Sequence, residues 1–235
     1  MRITSLTVGA FVTAAMCILA GRARAAGAGG NGAAASRTFV PNPRLAAMAE
    51  NSWLKLTPKR EALSRAYSGN CFGGGELWYF GGAHHSYAGN DVELYSPAKN
   101  EWRRSEIEWP DAENLKRFGQ VKATTTPVTP KGRPWASHTY QQVCYVPQRK
   151  MFFMVSRGHT WEFDPAELKW KCLAGVASEG KKPSPQYQGA QSFHVVYDPG
   201  LNAPVGIATT GPFGTFVYDY AKMEWKRRKD APMKW

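Results

Sequence analysis

Three stretches of this chain say nearly the same thing: "LYSPAKNEW" at 94–102, "EFDPAELKW" at 162–170 and "VYDYAKMEW" at 217–225. In each, an aromatic residue (Tyr95, Phe163, Tyr218) stands seven places before a tryptophan (Trp102, Trp170, Trp225). Repetition on this scale constrains the fold more than composition does. Each copy is one supersecondary unit, and it must stack on its neighbours to bury its faces.

Around each copy the chain reads as four short strands. The first set is "SRAYSGNCF", a "GGG" turn, "ELWYFGG", the loop "AHHSYAGN", then "DVELYSP" and "NEWRRSEI". The second is "SHTYQQVCYVP", "MFFMVSRG", "WEFDP" and "LKWKCL"; the third is "GAQSFHVVYDP", "PVGIATTG", "TFVYDY" and "MEWKRR". Nine Trp, ten Tyr and eleven Phe among 235 residues favour strands over helices. The pattern predicts an all-β chain of antiparallel four-stranded sheets joined by tight turns.

The first set resembles the kelch family of β-propellers, which includes the propeller of galactose oxidase. It carries the double glycine Gly81-Gly82 after an apolar strand, then "NDVELY", then Trp102 behind Tyr95. The later sets keep the aromatic–Trp spacing and replace the double glycine by Arg157-Gly158 and Thr210-Gly211. The resemblance spans residues 51–229 and implies three recognisable blades, at 64–107, 135–174 and 189–229. It also implies an orphan outer strand in "NSWLKL", with Trp53 in the fourth-strand position. A glycine pair there allows a bend with positive φ, and the aromatic–Trp pairs are expected to pack between blades. Closed propellers have about four to eight blades. A truncated piece of a longer propeller is the favoured reading of the shortfall. Self-association of two arcs into one ring, and a four-blade ring using the N-terminal segment, stay open.

The flanks differ in character. Residues 1–25 start with Arg2, run through an apolar stretch and end Ala23-Arg24-Ala25, the pattern of a secretory leader cleaved after Ala25. This implies a secreted or periplasmic protein with no transmembrane segment once the leader is gone. Residues 26–50 read as an Ala/Gly-rich linker followed by a short helix, with Asn42 as its cap and Pro43 in its first turn. The linker's G-x-G-x-x-G (Gly27, Gly29, Gly32) follows no strand and is not read as a dinucleotide site. Losing the leader's three arginines lowers the formal charge from +12 to +9. Clusters such as Lys226-Arg227-Arg228-Lys229 suit an acidic polymer, although a solvated surface is the plainer reading. Cys71, Cys144 and Cys172 leave an odd thiol count after the leader and contain no C-x-x-C pair.

In a propeller, loops joining strands two and three and loops joining successive blades emerge on one face. Here they bring His84, His85, Tyr87, His138, Arg157, His159 and Arg65 to that face. Such side chains offer donors for hydroxyls and carboxylates and rings for stacking, which suits a sugar. No metal centre and no cofactor is expected. Cys71 is matched in the repeat by Cys144 and Val196, which marks a small packing position, and no Arg-Gly-Tyr follows Trp102. Copper-radical chemistry of the galactose oxidase kind is therefore disfavoured, and no nucleophile elbow or zincin motif occurs. The expected function is a binding or scaffold module for carbohydrate or protein. The alternative is a carbohydrate-active enzyme domain, acting as hydrolase, lyase, epimerase or, less readily, copper oxidase.

Overall fold

The computed structural model describes residues 42–82, 87–109, 128–175, 193–209 and 214–228. Backbone contacts divide the chain into Met1–Thr38 and Phe39–Trp235, and the description concerns the second unit. One short helix, α1 (Pro43–Ala46), opens it. Asn42 caps this helix through its side chain, which accepts from the backbone N of Arg44 at 3.0 Å, and a proline stands in the first turn. No helix among the described residues is long and apolar enough to cross a membrane.

Everything else regular among the described residues is strand. Sheet 1 comprises β1 (Ser68–Gly73), β2 (Glu76–Gly81), β3 (Glu93–Ser96) and β4 (Glu101–Arg104). Sheet 2 comprises β5 (Val143–Val146), β6 (Met151–Ser156), β7 (His159–Asp164) and β8 (Lys169–Ala174). Sheet 3 comprises β9 (Phe193–Asp198), β10 (Ala203–Ala208), β11 (Gly214–Asp219) and β12 (Glu224–Arg227). Each sheet is antiparallel, with its strands in sequence order. The result is an all-β fold of three blade-like sheets, whose first strands β1, β5 and β9 lie side by side.

The seven-residue spacing now has a geometric cause. The last strand pair before the turn is Ser96↔Glu101 in sheet 1, so the next pair inward is Tyr95↔Trp102. The same register gives Phe163↔Trp170 and Tyr218↔Trp225. Each turn between these strands holds four residues and ends in the left-handed region, at Asn100 (φ 50°), Leu168 (56°) and Met223 (53°). Asp164 and Asp219 help hold their turns, since their Oδ1 atoms accept from the backbone N two and three residues on.

Opposed residues of a sheet share a face, so the register shows which way each pair looks. Trp170 faces back onto sheet 1, with ring centroids 5.1 Å from Phe80 and 6.2 Å from Trp78. Trp225 faces back onto sheet 2, 5.7 Å from Phe153, and its Nε1 donates to Thr160 Oγ1 at 2.7 Å. Between sheets 1 and 2 lie Trp78, Phe80, Leu94, Phe152, Met154, Trp161 and Phe163, all buried. Between sheets 2 and 3 lie Cys144, Val146, Phe153, Phe193, Val195, Phe216 and Tyr218. The packing is close enough that β1 must end in glycine: a Cβ on Gly73 would fall 2.0 Å from Tyr145 Cγ.

Two expectations need correcting. Residues 51–56 form no strand, and Trp53 is 81% exposed. Instead, residues 42–67 run as a strap over the back face of sheet 1. Asn42 Nδ2 donates to Pro97 O at 3.2 Å, Asn100 Nδ2 donates to Thr57 O at 3.2 Å, and Arg60 Nη1 donates to Glu93 Oε1 at 3.0 Å. These are side-chain contacts, which leave the strap without the backbone ladder that defines a strand. The first strands of sheets 1 and 2 also start later than their aromatic runs, at Ser68 and Val143, so His138 precedes β5 and does not begin it. The reason is local: Tyr67 (φ 61°) and Tyr140 (φ 34°) sit in the left-handed region and break the extended chain.

Candidate functional site

The loop ends of sheets 1 and 2 are tied together by hydrogen bonds. Gly82 N donates to Ser137 O at 3.1 Å and Thr139 N to Tyr67 O at 3.2 Å. Thr139 Oγ1 donates to Phe80 O at 2.8 Å and accepts from Gly69 N at 2.6 Å. The double glycine makes this approach feasible. Gly81 (φ 113°) and Gly82 (φ 143°) both lie where side chains are strained, and a Cβ on Gly82 would meet Tyr87 O at 2.3 Å. The bend with positive φ expected of this pair is thus present.

Three groups of side chains occupy this end of the molecule. The first is an aromatic clasp. His138 stacks on Tyr67, with centroids 4.5 Å apart and planes 18° apart, and meets the edge of Tyr140 at 5.5 Å. Tyr67 is 42% exposed. The two tyrosines are the only aromatic residues in the left-handed region among the described residues. Each stands four places before the matched cysteine of its repeat, in Ser64-Arg65-Ala66-Tyr67 and Ser137-His138-Thr139-Tyr140. That recurrence was the available signal for these two residues, which the reading of loops and histidines passed over.

The second group is a buried ion network on sheet 1. Arg65 and Asp91 have no exposed side-chain surface and pair at 2.6 Å, while Arg65 Nη1 also donates to Asp91 O at 2.7 Å. Arg65 Nη2 lies 3.7 Å from Glu93 Oε1, and Arg60 reaches the same oxygen from the strap. The Tyr87 hydroxyl donates to Asp91 Oδ1, and the Arg65 guanidinium lies 4.1 Å from the centre of the Tyr87 ring. Burial, reinforced by the bond to Asp91, holds the Tyr87 hydroxyl protonated well above its usual range. Arg65 and Tyr87 are therefore brought together, but both are buried and bonded to Asp91, Arg65 through Nη1 and Nη2 and Tyr87 through its hydroxyl.

The third group lies at the β6–β7 turn. Arg157 Nη2 donates to Ala136 O at 3.3 Å, and burial pushes its guanidinium down to about 10. His159 is fully buried, with Nδ1 2.9 Å from Arg157 O and its ring stacked on Trp161. Ser137 and Ser156, both buried, share a hydrogen bond of 2.6 Å. His84 and His85 lie outside the described residues.

Beyond these groups, next to the ends of β3 and β4, lie Asn90, Glu108 and Trp109; Glu108 is one of several carboxylates the sequence offers, and no motif joins the three. Glu108 N donates to Asn90 Oδ1 at 2.8 Å, and the Trp109 ring meets Tyr87 at 5.4 Å. Among the described residues no three His, Cys, Asp or Glu side chains gather to hold a metal ion. Cys71 and Cys144 are free thiols, and burial raises the pKa of both.

No protein-family profile matches the chain, and no curated protein matches it at a significant level.

Proposed function

We propose that this chain is an exported kelch-type β-propeller module whose loop face binds carbohydrate. The propeller part is supported by three consecutive sequential sheets with neighbouring first strands, by tryptophans wedged between sheets, and by a glycine pair bent with positive φ. The binding part rests on one observation, the clasp of Tyr67, His138 and Tyr140 at the joined loop ends. Two tyrosines at matching repeat positions hold a left-handed backbone, which costs each about 1–3 kcal/mol and clusters at ligand sites. The rings are set before any ligand arrives, and flat amphipathic rings with hydroxyl and imidazole edges suit the C–H face and hydroxyl edge of a sugar.

Calorimetric titration of the full chain with an oligosaccharide panel tests this. Binding is expected, with Tyr67→Ala and Tyr140→Ala each weakening it about tenfold or more, as truncating a central aromatic anchor does. Binding indifferent to both substitutions would overturn the assignment. Export is tested by N-terminal sequencing of the protein recovered outside the cytoplasm, where the chain is expected to start at Ala26.

Sugar-directed catalysis on the same face is a second reading. It is favoured by Glu93 and Glu108, each of which has a buried Oε2 without a hydrogen-bond partner. Glu93 and its neighbour Asp91 are already committed to Arg60 and Arg65 through their other atoms. Release of a new reducing end from any bound oligosaccharide would establish it.

A further inference from the structure

The ion network and the rim beside it contain an unusual run of unmet polar atoms. Arg60 Nη2, Arg65 Nε, Asn90 Nδ2, Glu93 Oε2 and Glu108 Oε2 are all shielded from solvent, and none has a hydrogen-bond partner. A buried polar atom without a partner costs about 1–3 kcal/mol, so such atoms rarely gather without a use. The arginine and Glu93 atoms sit behind salt bridges. Asn90 and Glu108 are different. Asn90 is 1% exposed, and its Oδ1 is already taken by Glu108 N at 2.8 Å. That bond fixes the amide orientation, leaving Nδ2 as a donor beside a residue whose Oε2 is an acceptor.

The pairing of one unmet donor with one unmet acceptor is selective. A carboxylate or phosphate would meet the charge of Glu108 and find a single donor. A cation would meet the amide N–H of Asn90. A hydroxyl accepts from the amide and donates to the carboxylate, so it satisfies both. The next residue, Trp109, is 55% exposed, with its ring propped on Tyr87 at 5.4 Å and a tilt of 64°. Tyr87 is held in turn by Asp91 and lies under Arg65, so the prop is rigid. A hydroxyl-reading pair next to an exposed, supported indole matches a ring with polar edges and an apolar face.

We infer that Asn90, Glu108 and Trp109 form a subsite for an uncharged sugar ring, with Asn90 and Glu108 sharing one hydroxyl and Trp109 stacking on the ring. This rests on the reading that the loop face binds carbohydrate. It adds a second contact point, on sheet 1's outer rim, distinct from the Tyr67–His138–Tyr140 clasp.

The test is calorimetric titration of the full chain with neutral gluco-, manno- and galacto-configured oligosaccharides and with uronate counterparts, using wild type, Trp109→Ala, Asn90→Ala and Tyr67→Ala. Thermal melts verify that each variant is folded. Glu108→Gln serves as the milder variant, since it keeps the shape while removing the charge. The expected result is binding of a neutral oligosaccharide, weakened about tenfold or more by Trp109→Ala and by Asn90→Ala and several-fold by Glu108→Gln, as expected for a lost anchor and an unpaired polar group. The affinity is expected to stay level as salt rises, because the ligand carries no charge. Binding that Tyr67→Ala abolishes but Trp109→Ala, Asn90→Ala and Glu108→Gln leave unchanged would overturn the subsite while sparing the carbohydrate reading. A marked preference for the uronates, lost in salt, would overturn the uncharged-sugar assignment. If no oligosaccharide binds, both the subsite and the carbohydrate reading fall.

Discussion

The aromatic–Trp pair meets two different surroundings in this molecule. Phe163 with Trp170 and Tyr218 with Trp225 look back onto another sheet, and the space between is filled with rings. Tyr95 with Trp102 has the same register and a comparable separation of 4.9 Å, but what lies behind it is the strap of residues 42–67. The rows on that back face tell the same story. Sheet 2 presents Tyr145, Phe152, Phe163 and Trp170 across its four strands, followed by Val143, Met154, Trp161 and Cys172. Sheet 1 presents Phe72, Leu77, Tyr95 and Trp102, but its next row is Asn70, Tyr79, Glu93 and Arg104. A sheet covered by another sheet can afford an apolar face throughout. A sheet covered by a single irregular segment is held by ions and side-chain hydrogen bonds, because one such segment has too little apolar surface to bury.

The contrast can be broken by experiment. Trp170→Ala removes a ring shared by two sheets and is expected to cost about 3–5 kcal/mol in chemical denaturation, with Trp102→Ala costing less than half as much. Equal losses would show that the strap packs as tightly as a sheet. Arg65→Met strands Asp91 and Glu93 in a buried setting and is expected to cost about 3 kcal/mol. A double variant that also changes Asp91→Asn should recover part of that loss, whereas additive losses would mean the arginine acts through packing alone. Gly82→Ala forces a Cβ against Tyr87 O and a side chain into a strained φ, so a loss of about 2 kcal/mol is expected in the same assay. An unchanged midpoint would show that the join between sheets 1 and 2 can yield.

The smallest effect belongs to an exposed counterpart of the buried network. Glu106, which follows β4, pairs with Lys131 and with Arg133, the latter at 2.5 Å. Hydrogen bonds from these two cations, Lys131 first, hold its carboxyl down at about 2. A carboxyl depressed in the folded state contributes stability above its unfolded value of about 4.3, and that contribution is lost as pH falls through about 2. Titration of the Glu106 side-chain carbon by NMR should show this low midpoint, and Lys131→Met should raise it. Because the group is exposed, the unfolding midpoint at neutral pH is expected to change little.

The repeat was legible because it rests on register. A step of seven places from an aromatic to a tryptophan is what a four-residue turn requires when the second pair from the turn is aromatic. The short capped helix and the bend at Gly81-Gly82 were legible for the same reason, since each is a local backbone demand written in one or two residue types. The strap was not. "NSWLKL" carries the pattern of an outer strand, and only the contacts of Asn42, Thr57 and Arg60 on either side of it show how the segment is tied to sheet 1 without a strand. In the site, residue types alone grouped Arg65 with the histidines, although Arg65 is buried against Asp91 and His159 is buried against the Arg157 carbonyl. Asn90 and Glu108 come together across a span of 18 residues that no pattern in the sequence marks.

Among the described residues, sheet 2 has another sheet on each side, its β5 lying between β1 and β9. Within each sheet every strand pairs only with its neighbours in sequence, so the hairpins can close early over short loops at little entropic cost. Association of the sheets comes at higher cost, and sheet 2 draws on two partners. We expect folding to nucleate in the middle repeat, with order spreading outward in both directions as in a stack of units, so that substitutions in sheet 2 slow refolding more than equally destabilising ones in sheet 1. In a chain made from its N-terminus, residues 42–104 must wait for the segment that follows before their aromatic face is covered. During that interval sheet 1 exposes Trp78 and Phe80, which makes the order of synthesis a point of vulnerability for this protein and the speed at which sheet 2 emerges its remedy.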